Sequence, residues 1–137
     1  PVFRHYRIYG AVANREFIAR AIRSFLGEAV SLSTNLPSTA RVALTSQQEE
    51  KRHVLHVLYA PAIHRGGNIQ LLGGKGVEVI EDLPSLHGVE ITLRPPSSVS
   101  AARLVPQGTS LPLEVNGNQV SLRLPEFSCH QMIEIEC

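Results

Sequence analysis

Tryptophan is absent from this sequence, and aromatic residues of every kind make up only 5 % of it, as three tyrosines and four phenylalanines. Sugar-binding sandwiches usually carry exposed aromatic rings, because the apolar ring face suits the C–H face of a sugar. A free-standing lectin or carbohydrate-binding module is therefore disfavoured, and such a site would have to draw on Tyr6, Tyr9 or Tyr59. Charge of one sign is also lacking. Thirteen basic residues against twelve acidic ones leave a formal charge of +1, which supplies no broad basic field for nucleic acid. No apolar run approaches the ~20 residues of a membrane-spanning helix. The opening PVFRHYRIYG lacks the apolar core of a signal peptide, so a cytoplasmic location is the expectation. The first residue is not Met, and the chain reads as a piece of something longer.

Cysteine is scarce as well. Cys129 and Cys137 lie close together in SCHQMIEIEC. If residues 130–136 form one strand, a rise of ~3.3 Å per residue sets the two thiols roughly 26 Å apart. A disulfide needs Cα atoms within about 7 Å, so this pair should remain unbridged. What is present is ordinary: 43 % hydrophobic and 18 % charged residues in 137, enough for one domain with a core of its own.

The periodicity of that apolar material changes once along the chain. Phe17, Ile18, Ala21, Ile22, Phe25 and Leu26 recur at helical spacing, with Arg15, Arg20 and Arg23 on the other side. Asn14 is the expected N-cap and Gly27 the expected stop. Everything after it alternates with period two. Strands are expected at 40–47, 52–60, 76–83, 88–95, 98–106, 111–115, 120–124 and 130–136. Asn116-Gly117 between two alternating runs is a strong hairpin signal. Residues 61–75, rich in glycine, read as a loop. The expected fold is mainly β, an antiparallel β-sandwich of about eight strands with one N-terminal amphipathic α-helix.

Histidines punctuate RHVLHVLYA, residues 52–60. His53 and His56 are three apart, and on a strand that places them on opposite faces, so they cannot chelate one ion. Both faces of 54–60 are apolar, which predicts a central strand covered on both sides, by the helix at 14–26 and by a domain outside this chain. His56, between Val54 and Leu58, is expected to be a buried imidazole satisfied by a backbone carbonyl. His130 adjoins Cys129, but that dipeptide lacks the third group that would orient a catalytic pair.

Other constellations carry less. Glu81 and Asp82 point apart on a strand and read as charge at a strand end, whereas a glycosidase holds two carboxylates about 5–10 Å apart across a cleft. RGGNIQLLGGKG matches neither phosphate-binding glycine motif. No catalytic residue, no metal ligand set and no cofactor site is indicated.

The ordered set NREFIARAIRSFL, NLPSTARVALTSQ, RHVLHVLYAP, VEVIEDLPSL and HQMIEIE nevertheless has a familiar look. It resembles the C-terminal region of bacterial glycoside hydrolases similar to family 42 β-galactosidases and α-L-fucosidase-like proteins. The resemblance implies that residues 1–28 are a helical arm, the tail of a preceding amidotransferase-like domain. It implies that 29–137 are a terminal β-sandwich domain. It also implies partners within a parent chain, namely that amidotransferase-like domain and a catalytic (β/α)8 barrel, and it allows a homo-oligomer or a carbohydrate ligand. The barrel carries the catalytic carboxylates in such enzymes, so no catalytic role transfers to any position here. The function expected of this chain is therefore non-catalytic, in domain packing or oligomer assembly, with a carbohydrate-binding module as the alternative.

Overall fold

The computed structural model describes residues 2–66 and 76–137, the Glu28 side chain excepted. Most of the glycine-rich segment read as a loop lies outside the described residues. The chain divides into two compact units, Pro1–Leu32 and Ser33–Cys137.

The first unit is helical. Two helices stand where one was expected: α1 (Val2–Tyr9) and α2 (Val12–Leu26), followed by a 3-10 turn at Gly27–Ala29. Asn14 does not cap α2. The helix begins two residues earlier, after Ala11, with no side-chain cap, and the Asn14 amide reaches His5 Nδ1 at 2.7 Å instead. Gly27 stops the helix as its position predicts, at φ +49°, with its N–H donated to the Arg23 carbonyl. Neither helix has a buried residue. The apolar stripe therefore stays open within this unit: Phe17, Ile22 and Leu26 are exposed, and Phe25 is 92 % exposed.

The remainder is β, with eleven strands among the described residues. They are β1 (Leu32–Thr34), β2 (Arg41–Gln47), β3 (Arg52–Tyr59), β4 (Ile63–Arg65), β5 (Val77–Val79), β6 (Glu90–Leu93), β7 (Ala101–Val105), β8 (Ser110–Leu111), β9 (Leu113–Asn116), β10 (Gln119–Arg123) and β11 (Cys129–Glu136). Three sheets result, ordered β1-β6-β10-β9, β2-β3-β11-β7-β8 and β4-β5. The ladders from β2 through β11 are antiparallel.

Several strands differ from those expected. The stretch 61–75 reads as a loop, yet β4 lies within it and pairs with β5 beyond its end. β1 is only three residues long, too short to show a period. The run expected at 111–115 is cut at Pro112, which has no N–H to donate to a ladder. Leu111 belongs to β8 and pairs in the five-stranded sheet, while Leu113 begins β9 and pairs in the four-stranded one. The hairpin after it turns through Gly117-Asn118, one residue later than expected, since Gln119 pairs with Asn116. Gly117 has φ +59°, a conformation glycine takes without cost.

Alternation builds the core. In the five-stranded sheet, Leu55 of β3, Ile133 of β11 and Leu104 of β7 form one cross-strand row. His53, Ile135, Ala102 and Leu111 form the next. All seven are buried. In the four-stranded sheet, Ile91 pairs with Leu122 and Leu93 with Val120, and these four are buried too. Each such side chain fully withdrawn from water is worth about 1.5–3 kcal/mol. Each of the two larger sheets thus has one dry face.

Candidate functional site

The outer face of the five-stranded sheet holds the most closely coupled polar groups. Strand β3 pairs along its whole length with β11, so residues far apart in sequence become neighbours. On this face His56 lies opposite Met132, and His130 opposite Leu58. His56 Nδ1 and His130 Nε2 are 3.2 Å apart. The ring planes differ by only 10°, and the ring centres are 5.4 Å apart. That separation exceeds the nitrogen–nitrogen distance by about the sum of two imidazole radii. Both nitrogens therefore lie near the line joining the centres, and the rings meet edge to edge in nearly one plane rather than face to face. This is the geometry of an N–H···N hydrogen bond, with one ring donating and the other accepting.

His56 is thus not the buried, carbonyl-satisfied imidazole the sequence suggested. It is half-buried and bonded to another imidazole. The buried histidine is His53, and its Nδ1 has no hydrogen-bond partner. His53 and His56 lie on opposite faces of β3, as their spacing on a strand predicts, and His53 shares the dry face with Leu55 and Val57. Cover on both faces of this strand is not found within the second unit, where Val54 is half-buried and Leu58 is 38 % exposed. The reason is that β3 is central in its sheet but only one of its faces belongs to the core.

In the row next to Met132 and His56, the same face carries a charge cluster. Arg103 Nε donates to Glu134 Oε2 at 2.8 Å, and Arg52 Nη1 donates to Glu134 Oε1, also at 2.8 Å. Arg103 Nη2 reaches Glu136 Oε1 at 3.0 Å, and Arg52 Nε donates to Gln47 Oε1 at 2.6 Å. The hydrogen bond from Arg103, then that from Arg52, holds the Glu134 carboxyl down at about 2. Glu81, half of the adjacent carboxylate pair, is likewise lowered, by a bidentate contact with Arg65 at 2.7 and 2.8 Å. A general acid requires the opposite displacement, so neither carboxyl is prepared for glycosidic proton donation.

The three tyrosines fall in different places. Tyr6 and Tyr9 are exposed on α1, three residues apart and so neighbours on one helical face, and Tyr9 lies against the His5 ring at 4.6 Å between centres. Tyr59 ends β3, half-buried and opposite Cys129, in the other unit. Cys129 and Cys137 are both free thiols at the two ends of the β11 stretch.

The second unit also carries shallow clefts on its surface. One, of about 340 Å³, lies at the β2–β3 turn among Ser46, Lys51, Arg52, His53 and Ser97. Another, of about 420 Å³, lies on the outer face of the four-stranded sheet among Glu90, Thr92, Glu114, Ser121 and Arg123. Among the described residues, no group of three or more His, Cys, Asp or Glu gathers as a metal site, and no helix is long and apolar enough to cross a membrane. Sequence reasoning missed the His56–His130 pair and the Glu134 cluster. Both depend on which strands pair, and no local period reports that.

No family model and no curated protein matches the chain. Among solved structures it is similar to alpha-L-fucosidase isoenzyme 2 from Paenibacillus thiaminolyticus, with a TM-score of 0.88 and 34 % identity over 98 % of this chain. The match spans 19 % of the fucosidase chain. The likeness is therefore to one part of a larger glycoside hydrolase.

Proposed function

We propose that this chain is a non-catalytic accessory domain of a glycoside hydrolase, a C-terminal β-sandwich with a helical arm, working in domain packing or oligomer assembly. The observation that carries the reading is the superposition of nearly the whole chain on about a fifth of a fucosidase chain. The open apolar surface of the helical unit supports it, because a face with Phe17, Ile22, Phe25 and Leu26 in water is suited to being covered. We read the two larger sheets as the layers of the sandwich: each has one dry face, and the chain passes between them at Pro112. The arm at 1–28 is then the tail of a preceding amidotransferase-like domain, and a catalytic barrel stands further upstream. A cytoplasmic location in a bacterium fits the same reading.

The test is activity of the purified chain. Incubated with nitrophenyl α-L-fucoside and β-D-galactoside, it should release no nitrophenol, and turnover proportional to the chain across independent preparations would overturn the proposal. A second reading, a carbohydrate-binding module, is favoured by the adjacent exposed rings of Tyr6 and Tyr9. Saturable binding on a glycan array that is abolished by Tyr9→Ala would promote it over the first.

A further inference from the structure

We propose that His56 and His130 form a two-imidazole site for a divalent transition-metal ion, with copper preferred over nickel and zinc. The spacing carries the inference. Two imidazole nitrogens bound to one ion at ~2.0–2.1 Å, with an angle between square and tetrahedral, stand about 2.8–3.4 Å apart. His56 Nδ1 and His130 Nε2 are 3.2 Å apart. The two strands already bring the nitrogens to the spacing that one ion bridges, so what must change is the ring torsions. Each ring turns about its terminal torsion so that the two lone pairs converge on one point instead of lying along one line. The donor ring moves its hydrogen to its other nitrogen, and two neutral rings lose no proton overall.

Two further features favour this position. Met132 is the register partner of His56 on the same face, and imidazole donors bind divalent copper more tightly than nickel or zinc. The backbone before His130 is also unusual. Cys129 has φ +61°, and the His130 N–H donates to the Ser128 carbonyl at 2.7 Å, a tight three-residue turn of the rare kind. A non-glycine residue is rarely held there, and the turn sets the direction in which the strand presents His130. Ala43 and Met132 flank His56, and Arg41 is the charged residue in the row of Leu58 and His130. With two imidazoles bound, the ion keeps open positions for solvent or for a side chain of another domain.

Copper(II) titrated into the intact chain, followed by electron paramagnetic resonance and calorimetry, tests the assignment. The expected result is one ion per chain with nitrogen coordination, weakened at least about tenfold by His56→Ala and by His130→Ala and unchanged by His87→Ala. Equal affinity in the wild type and the His56→Ala chain would overturn it. A readout without variants is the histidine ring NMR spectrum: substoichiometric copper should broaden His56 and His130 first and leave buried His53 sharp. First broadening at His5, His64 or His87 would count against the site.

Discussion

Arg103 and Glu134 face each other directly across the β7–β11 ladder, and the guanidinium donates to the carboxylate at 2.8 Å while Arg52 approaches from the other neighbouring strand. One carboxylate thereby ties three adjacent strands together on the outer face of the sheet.

The depressed Glu134 carboxyl makes acid stability measurable at one residue. Its folded-state value of about 2 lies below the ordinary 4.5, so the stabilisation is present above pH 4.5 and is lost as pH falls toward 2. Denaturant unfolding across that window should show a falling limb in the wild type and a flatter one in Glu134→Gln. An unchanged limb would assign acid sensitivity to other groups.

Core and rim positions should separate cleanly. Ile133 is fully buried between Leu55 and Leu104, and Ile133→Ala should cost about 2–5 kcal/mol in urea unfolding. Val115 is exposed on an edge strand, and Val115→Ala should stay within about 0.5 kcal/mol. Similar losses at both would contradict the one-sided core.

The β9–β10 turn should be sensitive to backbone conformation alone. Nothing lies within 4 Å of a Cβ added at Gly117, so Gly117→Ala costs only the left-handed φ, about 1 kcal/mol. A loss several times larger would mean that the added methyl meets a neighbour.

The helical unit should behave in the opposite way. Phe25→Ser removes a side chain that is almost wholly in water, so the unfolding midpoint of the β unit should not move. Self-association measured by sedimentation should fall, as expected when an exposed apolar patch loses its most exposed ring.

Non-reducing mass spectrometry after alkylation should count two modified thiols, because Cys129 and Cys137 are both free. A mass two hydrogens lower with no alkylation would contradict the extended β11.

Much of this was legible in the sequence because it is decided within a few residues. Period-two alternation marked β2, β3, β10 and β11, helical spacing marked α2, and Gly27 marked its end. The parity of His53 and His56 followed from the pleat and held. Other features were hidden. Helix α1, the three-residue β1 and β4, and the break at Pro112 are too short or too interrupted to carry a period. Which imidazole would be buried depended on which face of β3 meets the core, and alternation marks two faces without saying which is inner. The His56–His130 bond joins residues 74 apart, and the Arg52–Glu134 contact joins residues 82 apart. Strand order decides both, through the pairing of β3 with β11. Local propensity acts along the chain, whereas this candidate site was made across it.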